Sequence, residues 1–147
     1  MKINKTFVAA LSALISMTLA SCCSHPVSFR TGDHYFVRND VDSVPLVMRS
    51  SAERDSALGM AVTMSAPPTD VDFSTEAIVN IALPETDRPT VIDVKDVSLE
   101  ADGIMLVTYS ATSALSASYT MRPYAMVIVK SADLAKAKEV RLERVGE

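Results

Sequence analysis

Tryptophan is absent from these 147 residues, histidine occurs twice, glycine four times, and the two cysteines stand side by side at Cys22 and Cys23. Neighbouring cysteines near one end cannot staple a domain, and they supply no spaced ligand set for a zinc cluster. Four scattered glycines build no glycine-rich phosphate cradle. Two histidines leave little from which to assemble a serine-histidine-carboxylate triad, and no Gly-x-Ser-x-Gly turn occurs. No apolar run reaches the roughly 20 residues of a transmembrane helix. The 14 lysines and arginines are outnumbered by 18 aspartates and glutamates and form no basic cluster. That balance argues against nucleic acid as a partner, because its phosphates demand clustered lysine and arginine. Stability must come from packing, for which 48% hydrophobic residues are available.

What is present begins with a targeting segment. Lys2 and Lys5 form a positive start, Phe7 to Leu19 form an apolar stretch broken only by Ser12, Ser16 and Thr18, and Leu19-Ala20-Ser21-Cys22 has the layout of a bacterial lipobox. Cys22 is therefore predicted to carry a diacylglyceryl thioether, with the small residues Ala20 and Ser21 preceding the cut. Leu-Ala-Ser also suits ordinary signal peptidase, but a cysteine at the required position favours lipidation. One acyl chain holds a protein marginally, whereas two or three, at about 0.8 kcal/mol per buried methylene, anchor it stably. The expected organisation is a signal peptide over 1–21, a lipidated N-terminus and short tether over 22–31, and one globular domain over 32–147. Loss of residues 1–21 leaves 126 residues and, with Lys2 and Lys5 gone, moves the formal charge from -4 to -6. That length suits one domain. Eight tether residues from Ser24 reach at most about 27 Å, so the domain is expected close to the bilayer. The run Cys23-Ser24-His25-Pro26-Val27 carries no acidic export signal, which favours an outer-membrane position facing the periplasm.

Beyond Asp33, alternation of period two dominates. Ala77, Val79, Ile81 and Leu83 fall on one face of an expected strand over 76–83, with Ile78, Asn80 and Ala82 on the other. Strands are likewise expected over 90–99 and 104–109, separated by Ala101-Asp102-Gly103, where Gly103 supplies a positive φ. These segments read as consecutive antiparallel strands. Residues 118–122 and 124–130 form an extended run broken by Pro123, which marks an edge or a bend, and 139–145 alternates Val140 and Leu142 against charged neighbours. Ser50 followed by Glu53 has capping-box spacing, so a two-turn helix is expected over 51–58 with Gly59 ending it, and a shorter helical turn over 131–137. Residues 64–72, with Pro67-Pro68, read as a loop. Two short helices cannot cover a sheet. The fold class that follows is mostly β: a small antiparallel β-sandwich or partly open barrel with one or two short helices. Val79, Ile81, Leu106, Val127 and Val129 are the expected core.

Few residues point to chemistry. His25 lies in the tether, and His34, beside Asp33, reads as a surface residue rather than a general base. Asp40-Val41-Asp42 and Asp70-Val71-Asp72 could each present carboxylates to calcium, but neither continues into an EF-hand pattern; Asp70 and Asp72 are read as capping a turn before a strand. Candidate contact loops are Thr86-Asp87-Arg88-Pro89, of mixed charge and stiffened by proline, and the small-residue segment Ser110 to Ser118. No catalytic, cofactor-binding or metal-binding residue is assigned.

Three stretches carry a resemblance: Leu46 to Glu53, Asp72-Phe73-Ser74 ahead of the strand from Ala77, and Met121-Arg122-Pro123-Tyr124 running through Val129-Lys130-Ser131. Together they resemble the PrcB C-terminal-like domain family of bacterial protease-complex subunits. That family usually has a glycine-rich, tyrosine-containing loop where this chain has Pro84 to Thr90. The resemblance implies a small, mostly β domain that acts through partners and has no catalytic residues to transfer. The function expected is a membrane-anchored envelope lipoprotein serving as a non-catalytic binding or accessory module, docking on an envelope protein or protease. A structural envelope lipoprotein is the alternative, and an enzyme is disfavoured.

Replacing Cys22 with serine should abolish acylation and give a soluble or unprocessed product in a detergent phase-partition assay. A processed variant that still partitions fully into detergent would overturn the anchor.

Overall fold

The computed structural model describes residues 23–146, and within them the alternating segments become strands of two face-to-face sheets. The first sheet contains β1 (His25–Pro26), β7 (Thr90–Leu99), β8 (Ile104–Ser113) and β10 (Glu139–Arg144), in that order. The second contains β2 (Phe29–Gly32), β9 (Tyr124–Lys130), β6 (Glu76–Ala82) and β4 (Val47–Met48). A small pair, β3 (Tyr35–Val37) with β5 (Leu58–Met60), joins α1 (Ser51–Ala57) over the outer face of the second sheet, and α2 (Ser131–Leu134) links β9 to β10. This is a mostly β sandwich, as the alternation predicts.

The antiparallel register of β6 and β9 explains the layers. Ala77 lies opposite Val129, Val79 opposite Val127 and Ile81 opposite Ala125, all facing the first sheet. There they meet Val97, Met105, Val107, Tyr109 and Ala111. The intervening pairs, Ile78 with Ile128 and Asn80 with Met126, face the other way and are covered by Val37, Met48, Ala57, Leu58 and Val71. Both faces of the pair are thus buried, which is why these two strands read as near-continuous apolar runs. The outer face of the first sheet is wet. Glu139, Arg141 and Glu143 are exposed there while Val140 and Leu142 pack inward.

Several expectations give way. Strands β6 and β7 do not pair: after Leu83 the chain crosses to the other sheet, and β6 lies between β9 and β4. Strand β10 runs parallel to β8 because β9 ends at the end of the sandwich where β8 starts, and the short α2 link only steps the chain across to the first sheet there. Strand β8 continues to Ser113, so the expected loop begins later, and residues 118–122 contribute only the isolated bridge between Thr86 and Met121. Leu106 is half-buried rather than core, since the alternation of β8 turns Met105 and Val107 inward and Leu106 outward. The tether is shorter than expected. His25 pairs with Leu99, buried Val27 donates its N–H to the Val97 carbonyl at 2.8 Å, and Phe29 pairs with Val129, so most of residues 24–31 is built into the sheets. Alternating Val27 and Phe29 give that segment apolar side chains to bury.

The helix start is as expected: the Glu53 N–H donates to Ser50 Oγ at 3.2 Å, and Glu53 Oε2 accepts from the Arg49 N–H at 2.7 Å. Its end is not. Extended Leu58 closes the helix, and Gly59 lies within β5, where a Cβ would stand 2.3 Å from the Phe36 ring. Gly103 does take a positive φ, +86°, in the β7–β8 turn.

The connections define two ends. At the near end lie Cys23, the β7–β8 turn at 100–103, the last residue of β9 and α2; at the far end lie the start of β7, the end of β6, the start of β9 and the 113–123 segment. Ten residues of β7 span about 33 Å between them.

Ile81→Ala should cost about 2 to 5 kcal/mol, because Ile81 is fully buried between the sheets. Exposed Asp87→Ala should change stability by less than about 0.5 kcal/mol. Urea midpoints compare the two directly.

Candidate far-end binding cleft

At the far end two adjoining hollows of about 330 and 320 Å³ share Glu85 and Arg122. Val37, Val44 and Leu83 give the first its apolar wall, with Asp42 at its side, and Asn39 and Thr120 line the second. The Arg122 guanidinium donates to the Val41 carbonyl, holding the 39–44 loop against the sandwich. It makes no ion pair among the described residues. Thr120 Oγ1 donates to Glu85 Oε1 at 2.5 Å, and Thr86 and Met121 exchange backbone hydrogen bonds of 2.9 and 2.8 Å.

Two residues before Ala82, which lines the first hollow, Asn80 is 2% exposed in the middle of β6. Its Nδ2 donates to the Pro45 carbonyl at 2.8 Å, its backbone N–H to the Leu46 carbonyl at 2.8 Å, and its Oδ1 accepts from the Tyr124 hydroxyl at 2.5 Å. Burial pushes the Tyr124 phenol far above its ordinary range, so it stays neutral as a donor. An apolar wall beside a guanidinium and two carboxylates can take an apolar side chain while hydrogen-bonding the main chain on either side of it. No histidine lines it to serve as a base.

The candidate loops meet at this end. Ala117 N–H donates to the Asp87 carbonyl at 2.7 Å, Ala114 N–H to the Pro89 carbonyl at 2.8 Å, and Arg88 Nε to the Ala114 carbonyl at 3.1 Å. The two connections are therefore laced together rather than separately solvated. Also at this end, Val91, Leu115 and Tyr119 stand 71, 85 and 58% exposed.

The other residues singled out by sequence are scattered. Cys22 lies outside the described residues. His25 sits in β1, and His34 holds a turn at φ +66°, its carbonyl accepting from the Ala61 N–H at 2.8 Å. Asp40 is hydrogen-bonded by Arg38, which lowers its pKa, while Asp42 faces the cleft. Asp72 Oδ1 accepts from the Ser74 N–H and hydroxyl at 3.0 and 2.6 Å, the turn-capping role expected of it. Asp70 offers its carbonyl to Arg30 at 2.7 Å. No group of three or more histidine, cysteine or acidic residues among those described could hold a metal ion. Arg122 and Glu85 were missed as site residues; the only signal was a lone arginine and a lone glutamate, each beside a proline at the border of an apolar strand.

At the near end Arg30 grips Glu76 with Nε and Nη2 at 3.1 and 2.8 Å, and that hydrogen bonding holds the Glu76 carboxyl below its ordinary pKa. Comparison with protein-family models, with curated proteins and with solved structures finds no match.

Arg122→Ala should cost about 1 to 3 kcal/mol by stripping a charged donor from the Val41 carbonyl. Amide exchange in residues 39–44 should accelerate in parallel. An unchanged midpoint with unchanged exchange would remove Arg122 from the framework of the cleft.

Proposed function

We propose that the protein is a bacterial envelope lipoprotein, anchored through Cys22 in the outer membrane and facing the periplasm, whose β-sandwich is a non-catalytic binding or accessory module for another envelope protein. The lipobox supports the anchor, and the resemblance to protease-complex subunits favours a protease assembly as the setting. The observation that carries the binding role is polarity of shape. The cleft around Arg122 and the exposed side chains of Val91, Leu115 and Tyr119 gather at the end of the sandwich opposite Cys23. Exposed apolar residues at the same end as a polar hollow favour an interaction surface there. Anchorage at one end leaves the other free to meet a partner.

A photo-crosslinking side chain at Leu115 or Tyr119 should yield one adduct of discrete mass in intact cells, and Arg122→Glu should abolish it. The same probe at Met60, exposed on the side of the domain, should yield none. Absence of any far-end adduct would overturn the binding role and leave a structural one.

A further inference from the structure

We infer that the open edge of β10 is a self-association surface, which pairs antiparallel with β10 of a second copy of this chain so that the two first sheets run on as one. Strand β10 is the last in its sheet and is bonded on one side alone, to β8, in a register without a bulge over residues 139–144. No proline or glycine interrupts it. The other open edges among the described residues offer less: β7 is bulged where β1 leaves it uncovered, and β2 to β5 have four residues or fewer. An open strand of six residues is a template for another unless its side chains forbid the pairing.

The backbone parity of β10 follows from its neighbour. Val145 donates its N–H to the Tyr109 carbonyl at 2.8 Å, and in a parallel pair alternate residues turn both backbone groups to the same side. Glu139, Arg141 and Glu143 therefore bond to β8. That leaves the N–H and C=O of Val140, Leu142 and Arg144 at the open edge, where no turn or loop of the described chain bonds to them. The one charged side chain of inward parity, Arg144, is already engaged, donating to the Ala111 carbonyl at 3.0 Å.

Side chains select the occupant and the register. Two copies related by a two-fold axis keep Val140 and Leu142 on the inner face only when the axis passes through a residue position. An axis at Arg141 or Glu143 sets that residue against its own like charge. At Val140 it calls on Lys138, whose N–H already donates to the Gly103 carbonyl at 2.7 Å. At Leu142 it sets Leu142 against Leu142, Val140 against Arg144, and Arg141 of each copy against Glu143 of the other. Those unlike charges fall at the positions without ladder hydrogen bonds, where opposed side chains come closest. Glu143 makes no ion pair among the described residues, and Arg141, exposed and 3.2 Å from Glu139, would lie between two carboxylates. The charges of β10 thus complement the same strand reversed, which is what a second copy presents. The axis stands perpendicular to the sheets, and β1 occupies the opposite edge of the first sheet from β10. Both N-termini then lie at one height on the outer edges of the pair, so that both anchors can enter one leaflet.

The test is made on the mature protein in detergent, in a Cys23→Ser background. Under mild oxidation Leu142→Cys should give a disulfide-linked dimer, because the opposed Cα atoms of that pair stand about 5.5 Å apart. Val140→Cys and Arg141→Cys should give no more than the parent. Density-matched sedimentation should find two chains per particle; Arg141→Glu should weaken that association about tenfold, and adding Glu143→Arg should restore it. A single chain per particle, cross-linking strongest at Val140→Cys or Arg141→Cys, an Arg141→Glu variant as dimeric as its parent, or a loss that the reversed pair does not restore would overturn the inference.

Discussion

The whole arrangement depends on burying the β6–β9 pair on both faces. Seven residues of each strand lie in unbroken antiparallel register, and one face needs a second sheet while the other needs α1, β3 and β5. A strand pair covered on both sides has no tolerance for an unsatisfied polar group. Asn80 is the exception that organises its surroundings. It is polar, nearly inaccessible and central in β6, and each of its side-chain groups is answered, by the Pro45 carbonyl and by the Tyr124 hydroxyl. Leaving either unanswered would cost about 1 to 3 kcal/mol. The 45–46 segment and the Tyr124 ring are thus held by the same requirement that keeps the core dry, and both lie within two residues of ones that line the far-end hollows, Val44 and Arg122.

The same constraint sets the edges. In the first sheet, β1 covers only two residues of β7, and the stretch left open carries a bulge at Lys95 between Val94 and Asp96, with Lys95 ion-paired to Asp93. A bulge and alternating charge make that edge a poor template for another strand. At the opposite edge β10 sets Glu139, Arg141 and Glu143 toward water. The β7 edge of the first sheet thus offers little to another strand, and side chains that the sheets do not use are carried by the loops and turns at the ends of the sandwich.

Period-two alternation made the strands legible, because a side chain's face is written in its own position. Pairing was not legible in the same way. The step from Ala82 to Thr90 reads equally well as a hairpin or as a crossing between sheets, and only burial of β6 on both faces, with β9 and β4 at its sides, decides for crossing. Leu106 shows the limit within one strand: four apolar residues in succession, Ile104 to Val107, hide the parity that Tyr109 and Ala111 reveal once the strand is followed to Ser113. The capping box at Ser50 and Glu53 is local and was readable; Gly59 was not, because its reason is a Phe36 ring brought in from another strand. The candidate site was least legible. Arg122, Glu85 and Asp42 come from three separate connections, and nothing in their spacing brings them together.

The division between the two ends follows from the lengths of the connections. The β9–β10 link passes through α2 and the turn residues of the near end, and β1 enters the first sheet there, so the N-terminal side of the domain and its lysines share one pole. The β6–β7 and β8–β9 connections, each too long for a tight turn, share the other, where they bond to each other through Thr86, Asp87, Pro89, Ala114, Ala117 and Met121. Such bonding spends the freedom of both loops on a common surface. A rigid, mixed-polarity surface is suited to recognition by shape, because its groups are ordered before a partner arrives and less conformational entropy remains to be lost on binding.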